Sequence, residues 1–118
     1  MSTMFDFDDC HGSVPAHQHP NGGGWVADTA YVAETAYVGP DARVSDKARV
    51  FGDAEVSGNA WVAGNAQVFD RAWVSGNARV FGNARVLDNA RVFDDARVFG
   101  SARVSDNAEV SGNAWVFE

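Results

Sequence analysis

From Val26 to Val116 every sixth residue is valine, sixteen in succession without a slip, and an alanine sits four residues after each from Ala30 to Ala114. Between each valine and the next alanine lie two residues drawn mostly from Gly, Asp, Asn and Ser, as in Gly58-Asn59, Gly76-Asn77, Gly82-Asn83 and Asp88-Asn89. The unit is therefore Ala-x-Val-x-turn-turn. In an extended strand, residues two apart point the same way, so Ala and Val share one face. The flanking residues, among them Arg79, Arg85, Arg91, Arg97 and Arg103, point to the other and cannot be buried unpaired without a large penalty. Ala and Val are thus predicted to face inward. Glycine and asparagine tolerate the positive φ of tight corners, and both are expected to supply it here. A strict period of six gives no 3.6-residue stripe, which excludes an α-helix.

A short strand and a corner repeated at constant length predict an all-β solenoid, a single-stranded parallel β-helix whose coils stack about 4.8 Å apart. Period alone leaves the coil open: three hexads make a triangular prism of about five coils and ~25 Å, and two make a flatter helix. The hexad Val80-Phe81-Gly82-Asn83-Ala84-Arg85, an aliphatic residue followed four positions later by a small one, resembles the hexapeptide-repeat superfamily. That resemblance covers residues 25–118 and implies a left-handed, three-sided helix.

The repeat divides the 118-residue chain into an N-terminal cap or arm, 1–24, and the β-helix, 25–118. Met4, Phe5, Phe7 and Val14 are expected to cover the first coil, since an open terminal coil presents unpaired strand edges. Gly22-Gly23-Gly24 is expected to be a flexible lead-in to the rod. The formal net charge of −7 makes nucleic-acid binding unfavourable and suits solubility. No stretch is long and apolar enough for a membrane span and no signal segment is evident. With the single cysteine, Cys10, this points to the cytoplasm.

The superfamily's best-known members are trimeric acyltransferases with a catalytic histidine near an inserted loop, and related carbonic anhydrases hold zinc on histidines of the coils. This chain has no histidine after His19 and no insertion in the repeat, so no catalytic residue and no cofactor are expected, and an enzyme is disfavoured for want of a candidate base. Ice binding is a poor fit too: by resemblance it calls for threonine ladders, and only Thr3, Thr29 and Thr35 occur. Cys10, His11, His17 and His19 are weak metal candidates. Their residue types suit zinc, but their spacing fits no standard site, and a capping tail with incidental histidines is the expectation.

If the coil is 18 residues long, outward residues form ladders at n and n+18. Phe51, Phe69 and Leu87 make one, Phe81, Phe99 and Phe117 a second, and Trp25, Arg43 and Trp61 a third, suited to a guanidinium between indoles. Contiguous apolar rows mark interfaces, so these residues are the candidate interface. A homo-oligomer is expected, with the trimer implied by the resemblance favoured over a dimer joined near Trp115, Val116 and Phe117. Arg79, Arg85, Arg91, Arg97 and Arg103 are possible anion contacts, although Asp88, Asp94, Asp95 and Asp106 on the corners are expected to engage them in solvated salt bridges. The sequence thus favours a noncatalytic structural or binding module of the phage-part, inhibitor or scaffold type, which recognises itself and a protein partner. The alternative is a degenerate transferase-like protein that binds an acyl-CoA or nucleotide between subunits.

Overall fold

The computed structural model describes residues 3–6 and 13–117. Two longer strands, β1 (Thr3–Asp6) and β2 (Ser13–Gln18), precede β3 (Trp25–Ala27). From Tyr31–Val32 to Trp115–Val116, each hexad then contributes one two-residue strand, the x-Val pair of the repeat. The strands pair in parallel at a register of 18 residues, as in Arg79↔Arg97 and Val80↔Val98, and form three sheets. Along sheet 1 the outward strand positions are Trp25, Arg43, Trp61, Arg79, Arg97 and Trp115. Along sheet 2 they are Tyr31, Arg49, Gln67, Arg85 and Arg103, and along sheet 3 Tyr37, Glu55, Trp73, Arg91 and Glu109. The molecule is a parallel β-solenoid of about five coils, and no helix occurs among the described residues.

The inward assignment of the repeat holds. Every valine of the series from Val38 to Val98 is fully buried, and the alanines from Ala36 to Ala96 are at most 1% exposed. Each buried valine stabilises the fold by about 1.5–3 kcal/mol. Alanine is required beside it because the inward residues of all three sheets converge in one narrow core.

Corners are four-residue turns closed by an alanine N–H donating to the carbonyl of the residue after valine, as in Ala60 N to Ser57 O at 3.2 Å. Positive φ falls on the first of the two turn residues, either glycine, such as Gly58 at 61°, or aspartate, such as Asp88 at 59°. Positive φ at that position alone is the signature of a type II′ turn. Asparagine, expected to share this duty, sits in the second position and does not carry it. At Gly58 a Cβ would also come within 2.9 Å of the Gly76 backbone nitrogen one coil away. The aspartates offset the cost of a left-handed conformation by accepting a hydrogen bond from the next coil. Gly64 N–H donates to Asp46 at 3.0 Å, Asp106 N–H to Asp88 at 3.1 Å, and Gly112 N–H to Asp94 at 3.1 Å.

The N-terminal segment meets the first coil edge-on. β2 pairs antiparallel with β3 (His17↔Val26) and β1 pairs antiparallel with β2, so sheet 1 gains two strands beyond the rod. Phe5 stacks on Trp25 with centroids 4.5 Å apart, whereas Met4 is exposed. Phe7 lies outside the described residues. The glycine run is a pinned turn and not a flexible lead-in: His19 N–H donates to Gly24 O, Gly23 N–H to His19 O and Gly24 N–H to Val38 O, all at 2.8–3.0 Å. A Cβ on Gly22 would fall 2.2 Å from the Val38 carbonyl oxygen, so close backbone approach explains that glycine.

Two outcomes are expected. Val74→Asp places an unpaired carboxylate in a dry core and should destabilise by more than about 4 kcal/mol or prevent folding, whereas Arg79→Gln should leave the circular dichroism spectrum unchanged. Asp88→Ala keeps the left-handed backbone and loses the acceptor, so urea denaturation should report a loss of about 1–2 kcal/mol. Asp88→Gly removes the conformational cost along with the acceptor and should lie nearer the wild type.

Candidate interaction surfaces

The residue that follows each valine points outward at the margin of its strand, and the 18-residue register lines these residues up along the rod. Phe51 and Phe69 stack with centroids 4.8 Å apart and planes 2° from parallel, and Leu87 takes the next place in that row on sheet 2. On sheet 1, Phe81 lies 5.1 Å from Phe99, and Phe99 lies 5.0 Å from Phe117. Mutual stacking leaves Phe51, Phe69, Leu87, Phe81 and Phe99 half-buried and Phe117 exposed. Each ring contributes packing enthalpy to its own coil stack while one edge stays open to solvent.

Sheet 1 also carries the tryptophan and arginine ladder. Trp61 Nε1–H donates to Ser45 Oγ at 2.8 Å, which fixes the indole against its own sheet. Arg79 lies over the Trp61 ring at 5.8 Å and Arg97 over Trp115 at 5.4 Å. Arg43 lies over Phe5 at 5.5 Å; thus a ring supplied by the N-terminal hairpin, which the ladder reading did not include, joins Trp25 and Trp61 around that guanidinium. A shallow groove of about 780 Å³ runs along this face, between the ladder and a corner row that includes Asn59, Asn77 and Asp95. Side-chain amides chain along that corner, Asn59 to Asn77 at 3.4 Å and Asn77 to Asp95 at 3.2 Å.

The five arginines singled out as anion contacts do not converge. Arg79 and Arg97 are neighbours on sheet 1, Arg85 and Arg103 on sheet 2, and Arg91 stands on sheet 3 over Trp73 at 5.5 Å. Nor do the corner aspartates engage them: among the described residues no carboxylate lies within ion-pair distance of these five side chains. The expected salt bridges give way to bonds with the backbone, because Asp70, Asp88 and Asp94 each accept an N–H of the following coil.

Cys10 and His11 lie outside the described residues. His17 and His19 are engaged separately. His17 Nδ1 is 2.8 Å from an Asp28 carboxylate oxygen on the surface. His19 is 4% exposed, and its Nε2–H donates to the Ala36 carbonyl at 2.9 Å, where Asn21 Nδ2–H also donates at 3.1 Å. Within the rod, carbonyls in the position of Ala36 O accept a backbone N–H from the preceding coil, as Ala54 O does from Tyr37. His19 and Asn21 thus replace the missing coil at the edge of sheet 3, a role that composition alone did not reveal. No group of three or more His, Cys, Asp and Glu side chains arranged to hold a metal occurs among the described residues.

A family model described as YdcK Beta solenoid repeat matches residues 72–88, 78–92, 90–105 and 102–118. Each window is close to one 18-residue coil in length, so the match and the strand register report the same unit. The chain is a β-solenoid repeat protein. Comparison with curated proteins and with solved structures found no match. No helix of the described residues is long and apolar enough to cross a membrane.

Purified protein is expected to carry less than one zinc per chain by elemental analysis. One metal per chain that is lost in a Cys10→Ser, His17→Ala variant would establish a site. His19→Ala is unsuitable for that test, since it uncaps sheet 3 and should lower stability with or without metal.

Proposed function

We propose that this protein is a noncatalytic structural or binding module, a rigid solenoid whose outer faces recognise its own copies and then another macromolecule. The observation that carries this reading is the pair of straight aromatic rows, with rings 4.8–5.1 Å apart and close to parallel. Their spacing is fixed by the coil and their outer edges are open, a geometry suited to repeated, self-complementary packing. The resemblance to the hexapeptide-repeat superfamily supports three parallel copies, with two as the alternative. It also supports a left-handed course for the chain. A cytoplasmic location belongs to the same reading, because the lone Cys10 can form no internal disulfide.

A second reading, an acyl-CoA or nucleotide anion held between subunits, is favoured by one observation. The adjacent pairs Arg79–Arg97 and Arg85–Arg103 have no carboxylate partner among the described residues. Planar guanidinium groups at such spacing suit phosphate oxygens.

Light scattering should report a multiple of 12.6 kDa, and Phe69→Glu or Phe99→Glu should lower it with β-rich dichroism intact. A strict monomer at ~100 µM would end the self-association reading. A melting-temperature scan with CoA and dinucleotides separates the second reading: it requires a ligand-induced rise, and the module reading expects none.

A further inference from the structure

Sheet 2 differs from the other two faces in the order of its outward stripes. Its strand row holds Arg49, Arg85 and Arg103 with Tyr31 and Gln67, and no acidic residue. Next along the chain comes the apolar row Phe51, Phe69 and Leu87. Beyond that lies a corner bearing Glu34, Asp53, Asp70, Asp88 and Asp106, interrupted by Arg71. The face therefore reads basic, apolar, acidic across its width, and holds that order along the rod. Sheet 1 lacks the third stripe, because the corner after Phe81 and Phe99 is built from Gly82, Asn83, Gly100 and Ser101. Sheet 3 mixes Glu55, Arg91 and Glu109 in its strand row. The arginines of sheet 2 have no carboxylate within ion-pair distance among the described residues, and the acidic corner stands on the far side of the apolar row.

The geometry points to a second copy of this chain as the occupant of sheet 2, docked by a two-fold axis that runs parallel to the rod along the Phe51, Phe69, Leu87 row. This inference rests on the self-association proposed above and names its surface and symmetry. Rotation by 180° about such an axis exchanges left and right while keeping both rods pointing the same way. The arginine row of each copy then faces the acidic corner of the other, twice, with the apolar rows meeting on the axis. A two-fold axis across the rods would instead leave left as left, setting arginine against arginine and carboxylate against carboxylate. Stripe order thus selects the parallel dimer and rejects the antiparallel one. Five strands at ~4.8 Å give a contact only ~19 Å long, small beside permanent dimers, so a dissociation constant on the order of 10 µM is expected.

Sedimentation equilibrium of the full chain at ~100 µM tests this with two variants. Arg49→Glu, Arg85→Glu, Arg103→Glu makes the face acidic throughout. Glu34→Lys, Asp53→Lys, Asn89→Lys, Asn107→Lys reverses the corner at exposed positions outside positive φ and spares the carboxylates that bond the next coil. Each variant alone should be monomeric, with dimerisation weakened at least tenfold, and the two mixed should form a one-to-one heterodimer that weakens with added salt. Circular dichroism confirms that each is folded. In a Cys10→Ser, Leu87→Cys chain, oxidation should link Leu87→Cys to its own copy, which the parallel arrangement brings together; the antiparallel one sets position 87 opposite Phe51. A wild-type dimer or trimer indifferent to the charge reversals, or no heterodimer from two folded variants, overturns this surface and leaves self-association standing. A wild-type monomer overturns both.

Discussion

The closing of the corner is the constraint on which the rest depends. Each coil stacks on the next through N–H groups that donate to carbonyls 17 residues further on, such as Arg85 to Ala102 at 2.9 Å and Leu87 to Val104 at 2.9 Å. A two-residue strand can hold that register only if every corner turns through the same path, since one extra residue would move every later side chain to the wrong face. The cost falls on the first corner residue, which takes positive φ. Glycine meets it by lacking a Cβ, and aspartate by accepting an N–H of the coil that follows.

That constraint also shapes the surface. Because corner carboxylates are turned toward the backbone, they are withdrawn from the arginines on the strands, which rest on aromatic rings on sheets 1 and 3 and are free of carboxylate partners on sheet 2. A sequence with sixteen acidic and nine basic residues suggests mutual neutralisation. The fold keeps the charges in separate stripes, and separated stripes are what give a face a preferred orientation toward a partner.

The N-terminal segment follows the same rule about strand edges. A solenoid's first coil leaves acceptors and donors on each sheet with no coil before them. Here β2 covers the edge of sheet 1, and His19 with Asn21 bonds the Ala36 carbonyl at the edge of sheet 3. These histidines resembled ligand candidates only because of their residue type.

What the sequence determined by itself is whatever repeats. The valine and alanine period set the inward face, the two-residue strand and the place of each corner, because those depend only on alternation and on turn chemistry within one hexad. It also placed the aromatic rows correctly once an 18-residue coil was assumed. Only the tertiary structure decided which residues meet between coils: that Asp88 bonds the Asp106 N–H and not an arginine, that Arg43 lies over Phe5, that five similar arginines fall on three different sheets, and that the glycine run is pinned against Val38. Each is a contact between segments far apart in the chain or outside the repeat, where the local six-residue pattern carries no information about the partner.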